Sequence, residues 1–298
     1  MQRKLQTEGA GPLRRLRGNG IDGVTLLVLP ALALIVAFFV YPFAYGLALS
    51  FMPKAGDWMA NYRAFFSDPY LYDTIAATLN IAVPVTLTSL VIAVPMAFRV
   101  RLLRRQRLLT TILVIPITLG TVLVAEGLLN YLGPQGWFNR TLIALGLVHG
   151  PIRLIHNYWG VFASLLITGF PFTFLLTLSY LSGIDPVLEQ AAATLGANAR
   201  QRFLHVFLPL LAPGLAINFC LSFVQNFSVF PSAVLLGAPA GETRVISIAA
   251  YQAAFEQFDY SMGSAIAIIM GVVQLGIVVL ILSARRFFYR GATGGAKG

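Results

Sequence analysis

The chain has 298 residues, 57% of them hydrophobic and only 11% charged, with a mean hydropathy of +0.78 and a net charge of +10. Soluble domains carry about 25% charged residues, so too little charge is present to cover a water-facing surface, and a disordered chain would need the opposite composition. A single cysteine, Cys220, excludes an internal disulfide framework and any zinc site built from paired cysteines.

A bilayer core about 30 Å thick is crossed by about 20 apolar residues rising about 1.5 Å each. Runs free of ionisable side chains lie between Asp22 and Lys54, Asp73 and Arg99, Arg107 and Glu126, His156 and Asp185, His205 and Glu242, and Asp259 and Arg285. They predict an all-α membrane protein with six transmembrane helices at approximately 24–52, 74–98, 108–130, 158–181, 208–236 and 261–284. A basic segment, 1–23, precedes them and a tail, 285–298, follows. The run from Val24 to Met52 exceeds the apolar core of a secretion signal, about 7–15 residues, and reads as a retained helix. Pro30, Pro42, Pro84, Pro95, Pro116 and Pro171 fall within spans, where neighbouring helices can take up the carbonyls that proline frees.

Orientation follows from lysine and arginine, which are retained on the cytoplasmic side. Sixteen of the 21 lie in alternate segments: Arg3, Lys4, Arg14, Arg15 and Arg17; Arg99, Arg101, Arg104, Arg105 and Arg107; Arg200 and Arg202; Arg285, Arg286, Arg290 and Lys297. The opposite loops hold Lys54, Arg63, Arg140, Arg153 and Arg244. Both termini are therefore expected in the cytoplasm, and the basic excess is a matter of membrane lipids rather than nucleic acid. The outer side is acidic, with Asp57, Asp68, Asp73, Glu126, Glu242, Glu256 and Asp259, a bias that favours a cationic solute or the basic surface of a delivery protein.

The fourth loop, 182–209, has a pattern of its own. Asp185-Pro186 combines a capping acceptor with proline at the first helical position. Val187 to Leu195 has high helix propensity, and Gly196 ends the helix as a left-handed residue. A second helical piece is expected from Asn198 until Pro209 interrupts it. Leu188, Ala192 and Leu195 fall on one face as an apolar ridge. A helix lying on headgroups would carry basic residues, and none occurs between Asp185 and Ala199, which favours docking to a soluble partner.

Glu189-Gln190-Ala191-Ala192-Ala193-Thr194-Leu195-Gly196-Ala197, with Val206 and Leu208-Pro209 downstream, resembles the EAA loop of ABC importer permeases. That motif reads roughly E-A-A-x-x-x-G, then nine residues, then I-x-L-P. Gln190 stands where its glutamate falls and Glu189 one position earlier, which leaves the role of the carboxylate open. Leu29-Pro30, Tyr41-Pro42, Asn61-Tyr62-Arg63, Asp68-Pro69 and the stretch from Gly133 to Asn139 are similar to the polyamine, ferric iron and phosphonate group of that family. The resemblance implies a type I, MetI-like bundle with a cytoplasmic coupling helix, in a bacterial inner membrane. It implies as partners two cytoplasmic ABC ATPases that hold the ATP and Mg, a second and different permease, and a periplasmic substrate-binding protein. It assigns Glu189, Gln190, Ala191, Ala192, Leu195, Gly196, Ala197 and Pro209 to ATPase coupling. The solute it suggests is a polyamine or related small cation, or else a phosphonate, iron or another small organic ion.

Within the fifth span Asn218, Ser222, Gln225 and Asn226 fall on one helical face. Polar groups in hydrocarbon need partners, so this face lines a solute path or bonds to neighbouring helices. Glu126 sits either at the outer interface or against the solute. No catalytic arrangement is visible and no metal site is expected: His149, His156 and His205 are scattered. The tail Gly291 to Gly298 lacks the residues of a phosphate loop. Asn139-Arg140-Thr141 matches a glycosylation acceptor. Two other classes fit six spans, an ion-gradient secondary transporter, which would need intramembrane carboxylates or broken helices, and a membrane scaffold that recruits partners through the fourth loop.

Overall fold

The computed structural model describes residues 23–288. Arg3, Lys4, Arg14, Arg15, Arg17 and Arg290, and the tail from Gly291 to Gly298, lie outside the described residues. Helix α1 runs Gly23–Ile35, widens into a π turn at Val36–Val40 and continues as Tyr41–Ser50. Then follow α2 (Ala60–Ser67), α3 (Pro69–Val100), α4 (Gln106–Leu132), α5 (Trp137–Ala144), α6 (Tyr158–Ser182) and α7 (Pro186–Thr194). Helix α8 comprises Ala199–Arg202, a π turn at Phe203–Phe207 and Leu208–Phe227. The last three are α9 (Pro231–Leu236), α10 (Ile246–Tyr251, closing in a π turn at Gln252–Glu256) and α11 (Tyr260–Phe288). Among the described residues six stretches are long and apolar enough to cross a bilayer: Val28–Ser50, Pro69–Val100, Gln106–Ala144, Tyr158–Ser182, Ala199–Phe227 and Tyr260–Ala284.

Pro209 does not interrupt the chain as its sequence position suggests, and the fifth crossing helix starts at Ala199 rather than near 208. Proline in an α-helix clashes with the carbonyl four residues earlier. Here the preceding turn is π, with the Leu208 N–H bonded to the Phe203 carbonyl, and the wider turn admits the ring. Pro42 repeats the device in α1, where the Tyr41 N–H reaches the Val36 carbonyl. Pro84 frees the Asn80 carbonyl, which accepts from the Tyr158 hydroxyl on α6 at 3.0 Å, so a neighbouring helix supplies the missing donor. At its far end α8 stops at Phe227, nine residues before the expected 236. A separate short helix, α9, begins there with Pro231 in its first turn.

Helices α3, α6 and α8 form the centre. In a bilayer, helix association gains little from burying apolar surface and relies on close packing and interhelical hydrogen bonds. The seams are accordingly lined by small hydroxyl residues: Thr78, Thr86 and Ser89 on α3, and Ser164, Thr168, Thr173 and Thr177 on α6, all buried. Phe174, Leu178, Leu181, Phe207 and Leu211 fill one end of the core, and Phe65, Phe223, Phe227, Ile246 and Ile266 the part shared with α2, α10 and α11. Helix α1 packs mainly on α11 and is otherwise exposed.

The two ends of the bundle differ. One carries the arginine-rich α3–α4 connection and α7; the other carries α2, α5, α9, α10 and the chain's three tryptophans, Trp58, Trp137 and Trp159, all exposed. That is the placement of an interfacial aromatic belt. Buried polar residues staple this end. Asn139 donates to the carbonyls of Leu132, Gly133 and Ile152 and accepts from the Ile152 N–H, which fixes the α4–α5 corner and leaves its amide nothing to offer a glycan. Arg244 lies over the Tyr70 ring at 3.6 Å and donates to the Gln252 side chain. Burial pushes its guanidinium down from the usual value, and Tyr70, Asp68 and Glu256 offset that.

Candidate functional site

Helix α7 is short and its ends are fixed by local chemistry. The Asp185 carboxylate accepts from the Val187 N–H at 2.9 Å, with Pro186 in the first turn, as the sequence suggests. At the other end Gly196 adopts φ +82°, its N–H bonds to the Ala193 carbonyl and the Ala197 N–H to the Ala192 carbonyl, both at 3.0 Å. This pair of bonds is a Schellman stop. Helix α8 opens immediately with a capping box: Asn198 accepts from the Gln201 N–H while the Gln201 side chain accepts from the Asn198 N–H, each at 2.9 Å. Ala197 closes the first motif and Asn198 opens the second with nothing between, so α7 is joined stiffly to α8 and, through the π turn, to the bilayer-spanning stretch beyond Pro209.

No residue of α7 is buried. Leu195 is 88% exposed, Val187 and Leu188 are exposed, and Ala192 is half-buried beside them. Gln190, Ala191 and Ala193 are exposed too. A shallow groove bounded by Leu195, Gly196, Ala197, Gln201 and His205 runs along the joint. Glu189 faces the other way. Its two oxygens are divided between Arg101 Nη2 at 2.6 Å and Arg202 Nη1 at 3.2 Å. The residue at the motif's glutamate position, Gln190, makes no such contact, so the carboxylate of this loop is directed into the bundle.

The polar residues of the fifth span separate into two groups. Asn218 is fully buried and donates to the Thr173 carbonyl and the Thr177 hydroxyl, each at 2.9 Å; Ser222 bonds to Thr173 at 2.8 Å. Both are spent in the α6–α8 seam. Asn226 donates to Thr86 on α3 at 3.0 Å and also borders a cavity of about 70 Å³. Gln225 borders the same cavity and is exposed, with Thr121, Thr168, Gly169 and Ser232 completing much of the wall. The space fits a few waters and not a solute.

Thr121 reaches that cavity because α4 is broken. Gly120 has φ +76°, ψ 162°, so the crossing helix consists of two pieces meeting at mid-depth. The break was not anticipated; Pro116 and Gly120 together were its only sequence signal. Glu126 lies on the second piece, exposed, within reach of the Asn130 side chain at 3.4 Å, and six residues before the end at Leu132, roughly 9 Å along the axis. Also missed was Arg101, one of five arginines in a loop read only for its charge. Among the described residues no group of three His, Cys, Asp or Glu side chains is brought together.

A family model described as binding-protein-dependent transport system inner membrane component matches residues 89–291, about two thirds of the chain. The "Probable sulfate transport system permease protein cysT" of Prototheca wickerhamii is 33% identical over 177 residues, covering 59% of this chain and 67% of that protein. The spermidine/putrescine transport system permease protein PotB of Haemophilus influenzae is 28% identical over 232 residues, covering 75% and 80%. In fold, the chain superposes with a TM-score of 0.80 on a chain of the bacterial alginate ABC transporter solved with its alginate pentasaccharide-bound periplasmic protein. The two are 22% identical, over 94% of this chain and 99% of that one. The relatives span a sulfate and a polyamine system, so likeness fixes the class and leaves the solute open. With six apolar helices, a MetI-like bundle and a family match across its core, this chain belongs to the binding-protein-dependent transport system inner membrane components, the permeases of ABC importers.

Proposed function

We propose that this chain forms one half of the translocation path of an ABC importer, with both termini cytoplasmic, and that α7 docks on a cytoplasmic ATPase. The observation that carries this reading is α7 itself: an exposed apolar ridge on the arginine-rich end, bound by two back-to-back capping motifs to a bilayer-spanning helix. ATP and Mg belong to the ATPase. When two such ATPases close on ATP, each α7 moves as a body and α8 moves with it. The gain in ATP affinity for the closed state supplies the energy, as any ligand-driven shift requires. A second, different permease covers the face on which Gln225 and Glu126 are exposed, and a periplasmic binding protein delivers the solute to the tryptophan-bearing end.

Within the path we assign contact with the solute to Gln225 and Glu126, and leave Asn218, Ser222 and the buried Asn226 to the seams that join α8 to α6 and α3. The solute best supported is a polyamine or another small cation. Likeness to the spermidine/putrescine permease supports it, as do the exposed acids Asp73, Glu242 and Glu256, which carry no ion pair among the described residues. Asp57 and Asp259 add nothing to that field, being paired with Arg63 at 3.0 Å and Lys54 at 3.4 Å. The test is reconstitution in liposomes with the partner ATPase, second permease and binding protein, followed by ATP-driven, vanadate-sensitive uptake of labelled putrescine and spermidine against sulfate. Sulfate uptake without polyamine uptake would refute the cation reading.

Glu126→Gln should lower polyamine uptake several-fold while leaving the amount of inserted protein unchanged, because a carboxylate at that depth is retained to face water or cargo. Uptake measured per assembled complex checks this, and an unaltered rate would take Glu126 off the path.

A further inference from the structure

We propose that Arg101 is a positioning residue that ties the coupling helix to α3, so that α7 drives two spans and not only the one it continues into. The proposal rests on the coupling reading above and goes beyond it. Arg101 is the residue just past the end of α3. Its guanidinium lies 4.6 Å from the Phe98 ring and 4.2 Å from the Phe207 ring, over the notch where these two rings meet at the junction of α3 and the π turn of α8. Phe98 in turn meets Phe203 and Phe207 edge-on at 5.0 and 5.2 Å. From this seat Arg101 reaches Glu189 at 2.6 Å, while Arg202 holds the other oxygen.

One carboxylate on α7 thus grips the ends of α3 and α8 at once. The side chains of Arg101, Glu189 and Arg202 are 13%, 20% and 27% exposed, so solvent and salt screen them far less than an ordinary surface pair. The other arginines of the loop, Arg99, Arg104, Arg105 and Arg107, are exposed and make no ion pair among the described residues. Holding a topology needs only charge, which those four supply; the half-buried fifth, seated on two rings, has a separate task. A planar guanidinium suits it, since it can lay a face on the rings and bond the carboxylate with its edge, which an ammonium cannot. Deeper in the bilayer Asn226 bonds to Thr86, so α3 and α8 are joined at two levels and α7 moves them together.

The experiment uses the assembled transporter in liposomes with Arg101→Gln, Glu189→Gln, the double variant and Arg101→Lys. Expected are at least a tenfold loss of uptake in both single glutamine variants and ATP hydrolysis that no longer rises with loaded binding protein. The double variant should be no worse than either single, and Arg101→Lys should fall between. Normal coupling in Arg101→Gln overturns the proposal. So does a defect in Glu189→Gln alone, which would mean that Glu189 acts on the ATPase directly. A lowered melting temperature with coupling per complex intact would overturn it too, showing a merely structural role. If the unaltered complex imports nothing on ATP, the permease reading beneath it fails instead.

Discussion

Gly196→Pro is expected to cut uptake to less than a tenth while the ATPase continues to turn over, no longer responsive to the loaded binding protein. The reason is conformational. Gly196 holds φ +82° and donates its N–H to Ala193, whereas proline is confined near φ −65° and has no N–H. The Schellman stop cannot form, and α7 must leave α8 at a different angle. A β-carbon at this position meets nothing within 4 Å, while the ring's Cδ stands where the N–H bonded to Ala193, so the change acts at the backbone of the stop itself. Folding should not confuse the result: no residue of α7 is buried in the membrane-spanning core. Gly196→Ala, which keeps the N–H and costs about 1–2 kcal/mol for a left-handed L-residue, should retain part of the activity. Uptake and ATPase rate on the same reconstituted preparation decide the matter, and ordinary uptake by the proline variant would remove α7 from the coupling path.

That sensitivity follows from how little of the joint is flexible. The Schellman stop, ending at Ala197, and the capping box, starting at Asn198, are contiguous, and the π turn at Phe203–Phe207 carries the helix past Pro209 without a bend into loop. Beyond it, the hydroxyl-lined seams lock α8 to α6 through Asn218 and Ser222 and to α3 through Asn226. Each interhelical bond of this kind contributes only about 0.6 kcal/mol, but a run of them sets which helices move as a unit.

The spans, their number and the helix–glycine–helix layout of the fourth loop were legible in the sequence because they rest on local terms: charge-free length, an Asp-Pro start, a glycine stop. The fate of the polar face was not. Asn218, Ser222, Gln225 and Asn226 share one side of α8, and that spacing cannot say which of them meets Thr173 and which meets open space. Arg101 was illegible for a related reason. In sequence it is one arginine among five, and only the meeting of α3 with the α8 π turn gives it two rings and a carboxylate. The bounds of α8 were misjudged because proline was taken as a breaker, where a widened turn disarms it.

Gly120→Val should be the most damaging single change away from the coupling loop. Gly120 combines φ +76° with ψ 162°, a region essentially closed to residues with a side chain, at a cost of about 1–3 kcal/mol. Nothing lies within 4 Å of the added β-carbon, so the cost at that atom is a backbone one. The variant either bears that strain or heals α4 into one continuous helix. Healing rotates the second piece, withdraws Thr121 from the cavity it shares with Gln225 and Asn226, and turns Glu126 to another face. In both cases uptake should fall at least tenfold, with a loss of stability no larger than the strain. Labelling of a cysteine placed at Thr121, before and after the change, separates the two. Full uptake by Gly120→Val would mean that the break is incidental and that the solute crosses elsewhere than along the piece of α4 that carries Glu126.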